Sequence, residues 1–248
     1  MKILVCISSV PDTTTKIKFT DNDTQFNTEG VQFIINPYDE FGLTKALQLK
    51  ESGGGSVTVI NVGPATNDPV IRKALAIGAD DAVRIDTTPV DGIHVANEIA
   101  NFAKDKAYDL IIAGRESIDY NGGMVPHLLG ELLSIPSVSP CVSFSINGSD
   151  ADMETLIDGG KESVKASLPM VIGSQKGLVQ ENELRIPNMR GIMMSRSKPL
   201  LVEASTSSDS SQTIIKHELP VAKAGCTMID ASDVDKLVDL LQNEAKVI

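Results

Sequence analysis

Before residue 135 the chain alternates four times between short apolar runs and longer segments whose apolar residues recur at helical spacing. The runs are Lys2 to Val10, Ser56 to Val62, Ala82 to Ile85 and Asp109 to Gly114; the helical segments cover Asn36 to Lys50, Asp68 to Ile77, Ile93 to Lys104 and Val125 to Leu133. A strand that stays apolar without alternating is covered on both faces, as central parallel strands are. Strand–helix repeats with short links build a parallel α/β sheet, doubly wound and Rossmann-like, with helices on both sides. In such sheets ligands settle beyond the carboxyl ends of the strands, where strand order reverses. Gly63, Gly114 and the turn after Val10 lie at such ends.

The remainder is less regular. Lys16 to Phe19 and Val31 to Ile35 flank the polar Asp21-Asn22-Asp23 and predict a hairpin excursion. Beyond Pro136, Val138 to Ile146 and Glu162 to Ile172 read as extended strands, with turns at Asn147-Gly148 and Asp158-Gly159-Gly160. Gln175 to Leu200 is broken by Pro187, Gly191 and Pro199, Ser205 to Ser211 reads as a linker, and Ala231 to Val247 as an amphipathic helix with Ser232 as N-cap. The expected division is a nucleotide-binding domain over residues 1–200, carrying a small β excursion, and a linker with a C-terminal arm over 201–248. An arm reaching for another chain and a helix folding back on its own domain both fit this pattern.

A formal charge of −11 and a pI near 4.7 exclude the basic face that nucleic acid requires. Cys6, Cys141 and Cys226 are far apart with no CxxC pair, so no metal or iron–sulfur site is expected, and a reducing cytoplasm is. The opening apolar run is too short to insert in a bilayer. His94, His127 and His217 stand isolated, which gives no support for histidine catalysis; no catalytic residue is assigned. With no tryptophan and 4% aromatic residues, the chain is poorly equipped to enclose a flavin by itself.

One loop, Gly114-Arg115-Glu116-Ser117-Ile118-Asp119-Tyr120-Asn121-Gly122-Gly123-Met124-Val125, joins a buried strand to a helix and carries paired glycines just before it. Free backbone N–H groups at a helix start, with no Cβ in the way, make a phosphate cradle. The loop is neither GxGxxG nor Walker A. A structural turn is the alternative. Asn36-Pro37-Tyr38-Asp39-Glu40 is the second candidate: Pro37 holds Asn36 extended, and the acidic pair either compensates a helix dipole or places Asn36 against a ribose or base edge. Gly63 admits a ligand to the backbone or merely ends its strand. Met189, Met193 and Met194 form either an adaptable contact surface or ordinary core.

These segments, taken in order, resemble the electron transfer flavoprotein β family over nearly the whole chain. Lys2 to Ile7 with Val10-Pro11-Asp12-Thr13 is similar to its opening strand and loop, and Ile35-Asn36-Pro37-Tyr38-Asp39-Glu40 to its NP[FY]DE segment. Gly63-Pro64-Ala65 and Arg72-Lys73-Ala74-Leu75-Ala76-Ile77-Gly78-Ala79-Asp80 match GPA…RxALAxGAD. Gly114 to Asp119, Asp158-Gly159-Gly160, Leu168-Pro169 and Ile186-Pro187-Asn188-Met189 continue the series. The resemblance implies a heterodimer with an α subunit that holds most of an FAD, and a cleft in this chain for AMP. It places AMP contacts on Cys6, Asn36, Pro37, Tyr38, Asp39, Val62 and the loop Gly114 to Val125. The segment from Ile186 to Ile192, with Ile186 as its apolar anchor, matches the loop that docks on dehydrogenases, from which the flavin accepts electrons and passes them to a quinone reductase.

Two departures stand out. A Gln and a Thr common near the helix start are here Met124 and Val125, and basic residues frequent after the first strand are Ser8 and Ser9. Phosphate would then rest on backbone N–H groups near Gly122 and Gly123. The rival readings are an electron-bifurcating type with a second FAD in place of AMP, and a stand-alone ATP-binding regulator of the universal-stress type.

Overall fold

The structure, a computed structural model, describes residues 1–206, 212–223 and 225–248. In chain order the first elements are β1 (Lys2–Cys6), β2 (Ser9–Pro11), β3 (Phe19–Thr20), β4 (Gln25–Phe26), β5 (Phe33–Ile35) and α1 (Pro37–Gly53). Next come β6 (Ser56–Val62), α2 (Asp68–Ile77), β7 (Asp81–Asp86), α3 (Gly92–Ala103), β8 (Leu110–Gly114) and α4 (Val125–Leu133). The last are β9 (Ser137–Asn147), β10 (Asp150–Ile157), β11 (Gly160–Ser167), β12 (Met170–Ser174), α5 (Met189–Ser195), β13 (Leu200–Ala204) and α6 (Val234–Asp239).

Nine strands form one sheet in the order β11-β10-β9-β12-β8-β1-β6-β7-β13. The seven from β9 to β13 in that order run parallel, while β9, β10 and β11 make an antiparallel meander at one edge. The continuous apolarity of β1 follows from its two covers. Ile3 and Val5 face Leu43 and Leu47 of α1 and Ile71 and Leu75 of α2. Leu4 and Cys6 face Ile99 and Ala100 of α3 and Leu129 of α4. With both faces buried, the positions from Ile3 to Cys6 are all apolar, and only Lys2 at the strand's start is polar. The chain winds from β1 to β6 and β7 on one side, then crosses to β8 on the other, so strand order reverses between β1 and β8.

Several boundaries differ from the sequence reading. Lys2 to Val10 is two strands: β1 leaves the sheet after Cys6, and β2 pairs instead with β5. The excursion hairpin pairs Phe19–Thr20 with Gln25–Phe26, not with Val31 to Ile35, because Asp21, Asn22 and Asp23 all adopt positive φ and reverse the chain tightly. Glu162 to Ile172 is interrupted at Leu168-Pro169, where β11 ends and β12 begins in a different neighbourhood of the sheet. Ser232 does not cap the terminal helix. Asp233 does, accepting from the Lys236 N–H, and the helix is short, running into a π-helical turn over Leu240–Glu244. Strand β13 begins at Leu200 and is the sheet's last strand, with Leu201 and Val202 exposed.

The predicted linker Ser205 to Ser211 lies mostly outside the described residues, but its start is anchored. Glu98, fully buried on α3, accepts hydrogen bonds from Ser205 Oγ at 2.6 Å, from the Thr206 N–H at 3.0 and 3.1 Å, and from Thr206 Oγ1 at 3.2 Å. Removing this buried carboxylate breaks all of these bonds at once, although the half-buried Ser205 and exposed Thr206 can then turn to water. Glu98→Ala is therefore expected to cost roughly 1–3 kcal/mol and to open residues 205–206 to protease, read by urea denaturation and limited digestion. Further on, the chain touches the excursion again. His217 stacks on Phe19 with ring centroids 4.9 Å apart, and its N–H donates to the Asp23 carbonyl at 2.7 Å.

Candidate functional site

At the reversal point the ends of β1 and β8 are tied together by one side chain. Asp39, in the first turn of α1, accepts at Oδ2 from the Ser8 N–H at 2.7 Å, just past β1. Its Oδ1 accepts from the Gly114 N–H at 2.8 Å, at the end of β8, and from Asn36 Nδ2 at 3.0 Å. Pro37 at the first helical position and the extended Asn36 before it aim α1 so that Asp39 drops between the strands. Burial pushes the Asp39 carboxyl up to about 7, against the opposing pull of its donors. The Cys6 thiol beside it is driven far up by burial first and by Asp39 second, so it stays a neutral core group.

Asn36 is fully buried and fully used. Its Nδ2 also donates to the Glu116 carbonyl at 2.9 Å, and its Oδ1 accepts from the Ile118 N–H at 3.3 Å. The side chain expected to meet a ribose or base edge thus also shapes the 114–125 loop. The glycines divide in the same way. A Cβ on Gly114 would fall 2.2 Å from Asp39 Oδ1, and one on Gly63 would fall 2.1 Å from Asn67 Nδ2. Both glycines make room for the protein's own side chains. At Gly122 nothing lies within 4 Å of the Cβ position, and at Gly123 only the Arg115 carbonyl does, at 3.9 Å.

The other predicted contacts sort into layers. Val62, like Cys6, is buried in the α3–α4 core, so only its backbone reaches the strand end. Tyr38, Arg115, Glu116, Ser117 and Ile118 are half-buried around the opening, with Arg115 paired to Glu116 at 2.9 Å and its guanidinium 5.6 Å from the Tyr38 ring centre. Asp119, Tyr120, Asn121 and Gly122 form an exposed rim. Met124 packs across the start of α3, where its Cγ and Sδ would lie 2.8 and 2.9 Å from a Cβ on Gly92. Val125 and Pro126 open α4 without a side-chain cap. The N–H groups of Gly122 and Gly123 are not engaged within the described residues. An open backbone turn before a helix is the kind of geometry that receives a small anion.

Two buried polar residues of this layer were missed. Ser174, at the end of β12, donates to the carbonyls of Tyr38 at 2.7 Å and Ala113 at 3.1 Å. Asn61, inside β6, donates to the Ile7 carbonyl at 2.7 Å and accepts from Asn67 Nδ2 at 3.1 Å. Each was visible as a lone polar residue near the carboxyl end of an otherwise apolar run. Among the described residues no group of three or more His, Cys, Asp or Glu side chains is placed to hold a metal ion, and no helix is long and apolar enough to cross a membrane.

The predicted docking residues lie on a separate surface, at α5. Ile186 is 84% exposed and Met189 75%, with Pro187 half-buried between them. Asn188 is not a free contact: its Oδ1 caps α5 by accepting from the Gly191 N–H at 2.8 Å.

Comparison with known proteins decides the family. A family model, Electron transfer flavoprotein domain, matches residues 23–208. The electron transfer flavoprotein subunit beta of Bacillus subtilis is 35% identical over 262 aligned positions, covering 100% of both chains. That of Syntrophomonas wolfei is also 35% identical, over 252 positions, covering 100% of this chain and 98% of its own. The chain belongs to the electron transfer flavoprotein β-subunit family. A mitochondrial member from Oryza sativa subsp. japonica is 32% identical over 260 positions, again covering 100% of each chain. Family membership makes this chain an electron-carrier subunit, and its β designation implies an α partner.

Proposed function

We propose that the cleft between β1 and β8 holds AMP, and that the chain pairs with an α subunit carrying most of an FAD. Together they receive electrons from dehydrogenases and deliver them to a quinone-linked acceptor. FAD, when bound, supplies the redox chemistry. This chain supplies the frame. Asp39 and Asn36 fix the 114–125 loop, and the backbone at Gly122 and Gly123 receives the phosphate. Ile186 and Met189 offer the apolar face for a dehydrogenase, and the linker and C-terminal arm over residues 201–248 reach for the α subunit. The observation that carries this reading is the single carboxylate joining the ends of β1 and β8 at the switch point, beside a glycine turn with open space at the Cβ positions of Gly122 and Gly123.

Co-expression with the α subunit, purification, and quantitation of released flavin and nucleotide tests it. The expected product is a yellow heterodimer with one FAD and one AMP. Two FAD per heterodimer would replace the AMP assignment with the bifurcating one, and a colourless homodimer loaded with ATP would overturn the proposal entirely.

A further inference from the structure

The docking face at α5 is only seven residues long and carries exposed Met189, Ile192, Met193 and Met194. A helix this short does not hold its own shape in water. What holds it comes from α2. Arg72 sends one terminal nitrogen to two carbonyls at the far end of α5, those of Ser195 and Lys198, both at 2.7 Å. Lys198 answers from the opposite side: its Nζ donates to the carbonyls of Leu75, at 2.9 Å, and Ala79, at the carboxyl end of α2. Positive charge at a helix carboxyl end is favourable in itself. Between these two contacts the helices touch backbone to backbone, and a Cβ on Gly191 would fall 2.2 Å from the Ala76 carbonyl oxygen.

The geometry points to Arg72 and Lys198 as positioning residues that clamp α5 to α2 in the pose a protein partner reads. The inference rests on the docking role given to this surface above. Both cations are half-buried between the two segments, and each donates to carbonyls of the neighbouring one. They act through α5. Prior fixing of a contact segment removes the ordering cost that association would otherwise carry. Loosening the clamp therefore weakens docking without altering the flavin, and raises KM for the partner reaction while leaving kcat unchanged.

The test uses the full heterodimer with Arg72→Met, Arg72→Lys and Gly191→Ala, and a dehydrogenase that reduces the wild-type protein. Gly191→Ala pushes α5 off the Ala76 carbonyl while leaving Arg72 and the α2 core intact, so it stands in if Arg72→Met misfolds. Expected are a roughly tenfold faster amide exchange over residues 188–197, a roughly tenfold higher KM with unchanged kcat, and unchanged reduction by dithionite. Arg72→Lys, which keeps a donor, should recover part of both effects. Unchanged exchange would overturn the clamp itself. Faster exchange with an unmoved KM would overturn the positioning role by showing that partners dock elsewhere, which strikes the docking assignment rather than the clamp.

Discussion

Replacing Asp39 with alanine is expected to lower the unfolding free energy by roughly 3–5 kcal/mol. The change strands the N–H groups of Ser8 and Gly114 and the Asn36 amide in a buried layer, each worth about 1–3 kcal/mol when left unsatisfied. Relief from burying a carboxylate offsets part of that sum. Because Asn36 would lose its brace, the 114–125 loop should loosen as well, so nucleotide retention falls together with the urea midpoint. The pH dependence has a definite sign. Burial raises the Asp39 carboxyl from its ordinary 3.8 to about 7 in the folded chain, so the folded state binds the extra proton between those values. Its contribution is fully present below pH 3.8 and is lost as pH rises through about 7. Urea midpoints at pH 5 and pH 8 should therefore drop more steeply for the wild type than for Asp39→Asn. An Asp39→Ala protein with wild-type stability and loop protection would sink the keystone role.

Ending the chain after Thr206 should leave the sheet intact and abolish tight pairing with the α subunit. Ile215, Val221 and Met228 are 86%, 95% and 85% exposed, and the terminal helix, with Val234, Leu237 and Val238 exposed, has no buried residue. Apolar side chains strung along an extended segment gain nothing from water and reach their stable state only against another surface. Keeping Thr206 preserves the Glu98 anchor, so the thermal midpoint should shift by no more than a few degrees. Affinity for the α subunit should fall at least about 100-fold, some 2.7 kcal/mol, in a titration of the two subunits. Undiminished affinity would mean that the grip lies on the sheet domain instead.

The strand–helix alternation was legible because its cause is local: β6, α2 and α4 begin and end where the apolar pattern does. Strand β10 was not read. Ala151, Met153 and Thr155 face inward, but Asp150, Asp152 and Glu154 interleave with them, and so many carboxylates mask a two-residue period. That strand exists because β9 and β11 flank it, a fact of tertiary pairing. β13 escaped notice for a similar reason, since the β7 edge that receives it lies more than a hundred residues earlier.

The strand ends at which a ligand is expected are legible from local pattern, and β1 and β8 do flank the reversal of strand order, but the hydrogen bonds that tie those ends together are not legible. Asp39 looks like routine helix-dipole compensation until the Ser8 and Gly114 N–H groups, 31 and 75 residues away, are brought to its two oxygens. Asn36 looks like a ligand contact, and nothing nearby in sequence shows that Glu116 and Ile118 also engage its amide. Neither partnership leaves a trace in local composition.

The missing side chain at Gly114 has a consequence for how this lineage drifts. Any Cβ there evicts the Asp39 oxygen beside it, and any larger group at 39 collides with whatever replaces the glycine. The dependence runs one way: a side chain at 114 requires that position 39 first give up its carboxylate, whereas position 39 can shrink while the glycine stays.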